Sequence, residues 1–509
     1  MPLRNIGKPR VLKDYLRVDV VKTIDASFAA CGLPVMPVQE LLEKVKNDPA
    51  VWNLYARGFT MGLNQVEKEK TTERVMIYKP RNVVELAAFV AAVRPGFKSM
   101  LDTFIHRHRF SYGIPSLDKL LQTKEIPDSF LMYDEQILRI LQAAGIPPAD
   151  AYVCVKAIKK KKAEKVASFR QRFETGFTET LKRDEGATEE EAKDIVDKIW
   201  TIINDAASYM FCAAHAFSMA CDSLYAAWLK VHYPYEFYTV MLKLYTAKSR
   251  TDKIAAISQE MQKYLGIHVQ AGKFGEDNND WYIDKQNKTI SQSLSSIKFI
   301  SSNVANDMMR ISKYGDKYFV DVLRRIQMET RINTRQIQVL IQLGYFSAFG
   351  GSAKLMKLFN EFFEGENKLT KTYVEKTVTK RMEALRTLEQ ELPDEELPIG
   401  KKIEAEQAYI GRCISCDPAA ATNLFYVQSV DDKYSIRLRL YSLQRGTEGI
   451  IRISKAIFNK DPLKTGDCIS AKFEKRQRCL FKDGKRFAVD GVFDYWLVDY
   501  DKEERKEPA

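Results

Sequence analysis

His215 stands within YMFCAAHAFSM (209–219), amid sixteen residues without a formal charge between Asp205 and Asp222, and it is one of only five histidines in the chain. An imidazole there can exchange a proton or bond a ligand near neutral pH. A lone histidine in an apolar helix is, however, more often a hydrogen-bonded core residue. Upstream, Lys156, Lys159, Lys160, Lys161, Lys162, Lys165, Arg170 and Arg172 set eight cations against the single carboxylate of Glu164. Such a run either attracts phosphates or solvates a helix face. Cys413-Ile-Ser-Cys416 is a lone C-x-x-C. Without a second pair or nearby histidines it does not define a zinc or redox site.

The elements that must position these residues are mostly helical. Residues 19–49 read as helix with a break at Leu33–Pro37, and GFTMGLNQVE (58–67) as a tight turn entering a close-packed loop. VELAAFVAAVRPG (84–96) is a helix stopped by Pro95-Gly96, which leaves Arg94 at its end. Leu131–Ala143 is another. Val166, Phe169, Phe173 and Phe177 recur at spacings of three and four, predicting one amphipathic helix that begins in the lysine run. Leu224, Trp228 and Val231 form a further stripe ended by Pro234. Short strands are expected in Trp281–Leu294, short helices in Ile297–Phe363, and a linker at Leu392–Gly400. From IRLRLY (436–441) to KRFAVDGVFDYWLVDY (485–500) the period becomes two, which predicts a small antiparallel β-barrel. Asp431-Asp432 and Asp499-Tyr-Asp501 fall at its turns and strand ends.

A chain of 509 residues requires several cores. Its net charge of +12 favours a polyanionic partner. Eight scattered cysteines suit a reducing compartment, and MPLRNIGKPR has no apolar signal segment. The uncharged stretch around His215 is shorter than the ~18 residues of a membrane span. No membrane is expected, and the location expected is cytoplasmic.

In order along the chain, these landmarks resemble the α subunit of bacterial DNA polymerase III, the C family of replicative polymerases. YMFCAAHA followed by LYAAWLKVHYPYEF is similar to the fingers motif FNKSHA and the helix after it. AAVRPG resembles ALYRPG, MYDEQILRI a YQEQ element, and CVKAIKKKKAEKVASFRQRF the family's lysine-rich fingers segment. GFTMGLNQVE, LIQLGYFSAFGG and AEQAYIGRCISCDP have counterparts as well. The resemblance implies a mostly α, multidomain fold with a C-terminal oligonucleotide-binding (OB) barrel. It divides the chain into the end of a palm (1–18), fingers (19–290), a helix-hairpin-helix, clamp-binding-like region with linker (291–405) and the OB domain (406–509).

It also implies template-directed DNA synthesis by two-metal phosphoryl transfer. In LKDYLRV (12–18), Asp14 takes the position of the palm's third aspartate and would bind Mg²⁺. Nothing before it is acidic, so the other aspartate pair is expected from a separate N-terminal polymerase subunit, with two Mg²⁺ ions shared between the chains. His215, Arg94, Lys156, Lys160, Lys161, Gln65 and Gln136 are carried over as dNTP-site residues. Lys159, Lys162 and Lys165 would meet primer-template DNA. On the barrel, Arg437, Arg439, Arg476, Tyr434 and Phe487, with Tyr426 and Trp496, mix rings and cations as surfaces for single-stranded DNA do.

Three departures stand out. Ala213 and Cys212 replace the lysine and asparagine of the fingers motif, SIKFISSNVA (296–305) lacks the family's hairpin glycines, and no clamp motif occurs between 351 and 405. A sliding clamp would therefore be reached through another subunit. The rival expectation is a catalytically inactive, DNA-binding scaffold.

Overall fold

Alanines and other small side chains bring two helices close together in the N-terminal part of the protein. In the computed structural model, Ala87, Ala88, Ala91 and Ala92 of Val83–Ala92 are buried, as are Ala216, Ala220, Ala226 and Ala227 of Ala213–His232. The two helices pack directly on each other. The structure describes residues 15–94, 97–207, 210–276, 278–432, 435–482 and 485–503, in two compact units, Met1–Met241 and Leu242–Ala509. Asp14, Pro95, Gly96 and Tyr434 lie outside the described residues, and so does the side chain of Phe487. The fingers as read from sequence, 19–290, run across the division between the units. Among the described residues no helix is long and apolar enough to cross a membrane.

In the first unit the predicted stripe forms: Phe169, Phe173, Phe177 and Leu181 are buried against Ile199, Trp200 and Ile203 of Glu189–Ala207. The single helix expected from Lys156 onward is instead two, Pro148–Lys159 and Ala163–Glu185. Lys161 turns left-handed at φ +52°, with Lys161 N donating to Ile158 O at 2.9 Å and Lys162 N to Ala157 O at 3.0 Å. That is the Schellman pattern, here closed by lysine where glycine is usual. The helix expected from Leu131 starts at Asp134, because Tyr133 pairs with Phe211 as an isolated β-bridge. Pro234 opens a new helix, Pro234–Ala247, as a first-turn proline can.

The turn at 58–62 needs its glycines. Gly58 and Gly62 have φ of +75° and +77°, and a Cβ on Gly62 would meet Met241 Sδ at 2.5 Å. The buried Lys230 then fastens that turn, its Nζ donating to Phe59 O at 2.8 Å and Met61 O at 2.9 Å.

In the second unit a small sheet has the order β1 (His268–Gln270), β3 (Thr289–Ser291), β2 (Tyr282–Asp284). Short helices follow. The stretch expected as a linker is packed: Asp394 Oδ1 accepts from Gly351 N at 2.5 Å and Glu396 Oε2 from Ser352 N at 3.1 Å, capping the helix Ser352–Phe363. The C-terminal strands β4 (Leu424–Asp431), β5 (Arg437–Ser442), β6 (Glu448–Ile453), β7 (Cys468–Lys482) and β8 (Lys485–Lys502) close into a barrel in the order β4-β5-β6-β8-β7. The barrel is mixed, not purely antiparallel. β8 returns along β6 in parallel register, Arg452 to Trp496 and Ile453 to Leu497, which leaves no open edge. Val427, Leu438, Leu440, Ile469 and Leu497 fill it.

Candidate functional site

Phe211 is the point at which the candidate nucleotide residues of the first unit meet. Its N–H donates to Met132 O and its carbonyl accepts from Asp134 N, both at 3.1 Å, so the residues just before the His215 helix are tied to the start of Asp134–Ala143. The Arg94 guanidinium lies 3.6 Å above the Phe211 ring centroid, and the His215 ring meets the same phenyl edge-to-face at 5.0 Å. Arg94 Nε and Asp134 Oδ1 are buried without a hydrogen-bond partner among the described residues. Burial pulls the Arg94 pKa below the ordinary arginine value. A half-desolvated cation with an unused donor is a group that an anionic ligand would complete.

The rest of the nucleotide set divides. Gln65, left-handed at φ +67°, directs its amide to Met219 Sδ at 3.6 Å, one helical turn beyond His215. Gln136 is used for support: its Oε1 accepts from Met132 N at 2.7 Å and Tyr133 N at 2.9 Å, and its Nε2 donates to Phe130 O at 3.0 Å. It holds the strand that grips Phe211. Lys159 pairs with Asp134 Oδ2 at 2.6 Å, which ties the lysine turn to this junction. Lys160, Lys161, Lys162 and Lys165 are exposed on that turn and the helix after it, while Lys156 lies 4.3 Å over the ring of Tyr152.

Sequence reasoning missed Glu135, Lys230 and Glu85. Glu135 Oε2 accepts from Ala213 N at 2.9 Å, so a carboxylate already occupies the start of the His215 helix. The signal for Lys230 was in the sequence: a lysine three and four residues after Ala227 and Ala226, on the buried face of a helix. Glu85 is buried near the start of the helix whose far end precedes Arg94. Arg107 grips it at 2.6 Å and 3.2 Å and Arg81 at 3.1 Å. Burial pushes the Glu85 pKa up, but the Arg107 and Arg81 hydrogen bonds outweigh that and hold it below the usual carboxylate value. A lowered carboxylate pKa stabilises the fold above the unfolded-state pKa and is lost as pH falls through the folded one. Glu85→Gln is therefore expected to lower stability by about 1–3 kcal/mol at neutral pH, and by less in acid. A denaturation series that finds the same difference at every pH would refute this.

On the barrel, Arg437 is exposed, Arg439 pairs with Glu448 at 2.7 Å, and Arg476 pairs with Glu474 at 2.6 Å while lying 5.2 Å from the Trp496 ring. Lys475 lies 4.4 Å over Phe493, and Tyr495 is exposed. Tyr426 is buried core. An open groove of about 580 Å³ is lined by Phe425, Arg445, Phe473 and Tyr495 among others. Cys413 and Cys416 are free thiols, and among the described residues no three His, Cys, Asp or Glu side chains converge to hold a metal ion.

Comparison with known proteins finds relatives of the sequence. The family described as bacterial DNA polymerase III alpha subunit finger domain matches residues 39–180, the segment that carries Gln65, Arg94, Gln136 and the whole lysine run. The DNA polymerase III subunit alpha of Thermus aquaticus is 30% identical over 323 residues, 61% of this chain and 25% of that protein. The Aquifex aeolicus subunit is 27% identical over 314 residues, 60% of this chain and 26% of that one. The Campylobacter jejuni subunit is 26% identical over 469 residues, 88% of this chain and 36% of that one. The chain thus has a finger domain of this type and distant homologues among these subunits, and it spans roughly a quarter to two fifths of their length.

Proposed function

We propose that this chain supplies the fingers, helix-hairpin-helix, clamp-binding-like region and OB barrel of a C-family replicative DNA polymerase, working as the C-terminal part of a split enzyme. A separate N-terminal subunit would bring the palm aspartate pair. The observation that carries the proposal is the Phe211 junction, where an imidazole and a guanidinium whose Nε has no partner among the described residues share one ring within and beside a polymerase finger domain.

In this reading the incoming dNTP lies along the His215 helix. Arg94 and the exposed Lys160 and Lys161 face its phosphates, where fixed cations favour the charge that develops on leaving pyrophosphate. His215 sits toward the sugar. Gln65 holds the neighbouring turn of that helix, and Gln136 and Lys159 act by positioning Phe211 and Asp134. Lys162, Lys165 and the barrel cations Arg437, Arg439 and Arg476 meet primer-template and single-stranded DNA. The described side chains do not fit a two-Mg²⁺ site by themselves. Asp14 would share those ions with the other chain's aspartates, and they would activate the primer hydroxyl in the joined enzyme. A clamp would be engaged through another subunit, in the cytoplasm.

The joined enzyme separates the roles. His215→Ala is expected to raise the KM for dNTP severalfold with DNA affinity kept, whereas Lys160→Ala with Lys161→Ala lowers kcat about tenfold or more. If His215→Ala changes only the melting temperature, the histidine is a core residue and the pocket is misplaced. A second reading, a DNA-binding scaffold without synthesis, is favoured by Ala213 and by the Glu135 carboxylate at the head of the His215 helix. It predicts DNA binding and no incorporation under any pairing.

A further inference from the structure

The turn at 297–301, in the second unit, puts a large ring where the backbone disfavours one. Phe299 has φ +72°, and alone among the described non-glycine residues with positive φ it is aromatic. A bulky residue in that region is an outlier that persists only when its surroundings over-determine it. They do so here. Lys298 N donates to Tyr409 O at 2.9 Å, Gln336 Nε2 donates to Phe299 O at 2.9 Å, and the Tyr409 ring meets Phe299 edge-on at 6.2 Å. This restraint does not bury the ring, which remains 40% exposed. The left-handed backbone therefore leaves two fifths of the ring open to a ligand, in the segment 296–305 that lacks the glycines of the hairpin it resembles.

The surroundings of the ring have a definite chemistry. The Arg335 guanidinium lies 3.9 Å from its centroid and the Lys298 ammonium 5.2 Å. The helices Ser302–Ser312 and Thr334–Gln342 both begin at this edge, and an open groove of about 810 Å³ there is lined by Asn303, Asn306, Arg331, Asn333, Gln336 and Lys371. Asp307 and Glu329 share the groove, but Arg310 pairs with them at 3.1 Å and 2.9 Å. Cations and amides therefore dominate what a ligand would meet.

We infer that Phe299, with Arg335 and Lys298, is a stacking platform for an unpaired base of single-stranded DNA, the adjoining phosphates lying toward Arg331 and Lys371. The inference rests on the nucleic-acid reading above. A ring flanked by cations fits a base face and its backbone together, whereas an acidic peptide would use the cations and leave the ring idle.

The test measures binding of the full chain to a labelled oligothymidylate by fluorescence anisotropy across a salt series, with melting temperatures beside it. Phe299→Gly should relieve the left-handed strain, so the melting temperature holds or rises while affinity falls about 5- to 100-fold with an unchanged salt slope. Phe299→Leu, which keeps an apolar side chain but removes the ring, should lose a similar factor, and Phe299→Trp should bind at least as tightly as wild type. Arg331→Ala, at a cation assigned to a phosphate, should instead lessen the slope of log K against log salt by about 0.7. Wild-type affinity in both the glycine and leucine variants overturns the platform. An affinity loss with Arg331→Ala alone points to charge without stacking, and also overturns it. If the wild-type chain itself fails to bind at low salt, the nucleic-acid reading fails and this inference with it.

Discussion

Arg94→Ala is expected to lower kcat/KM for dNTP incorporation by the joined polymerase about 100- to 1000-fold, the loss seen when one preorganised donor to a developing oxyanion is removed. Arg94 has the attributes of such a donor. Its guanidinium carbon lies 3.6 Å over the Phe211 ring, its Nε is buried without a partner among the described residues, and burial already pulls its pKa down. Among the described residues nothing takes up the unused N–H, and an anion would offset its desolvation. Arg94→Lys should recover little of the loss, because an ammonium keeps the charge but not the planar stack or the fork of donors. A purely structural cation–π contact would behave differently: alanine would lower the melting temperature, lysine would partly restore it, and turnover per folded molecule would stay at the wild-type value. That outcome would remove Arg94 from the nucleotide site.

Periodicity made the Phe169, Phe173 and Phe177 core legible in the sequence, since spacings of three and four have one meaning in a helix. The break between Lys159 and Ala163 was not legible. A Schellman turn normally announces itself by glycine, and here Lys161 takes the left-handed residue in the middle of what reads as continuous helix. The barrel's strands were visible as alternation, but the parallel return of β8 beside β6 depends on closure, a long-range property that alternation does not encode. The site divides in the same way. Arg94 and His215 were picked out singly by resemblance, while their common contact, Phe211, joins segments far apart in the chain and was hidden between them. Gln136 shows the converse. Its position suggested a ligand contact, yet every polar bond found for its side chain goes to backbone at 130–133.

The largest effect expected is all or none. One carboxylate leaves most of the coordination positions of Mg²⁺ to water and fixes no distance between two ions. On the proposed reading Asp14 would therefore need the aspartate pair of a palm, and no substitute for that pair converges among the described residues. The chain alone should bind primer-template DNA through its basic surface, with affinity falling steeply as salt rises, and incorporate no nucleotide at any Mg²⁺ or dNTP concentration. Adding the chain that carries the palm pair should restore primer extension. Asp14→Asn should abolish it again with the two chains still co-purifying and DNA affinity kept, because asparagine preserves size and removes only the charge that holds the metals. The two readings part here. A scaffold binds in every arm and extends in none. A polymerase subunit extends in the wild-type pair alone, and extension by the Asp14→Asn pair at the wild-type rate would show that LKDYL is not the end of a palm.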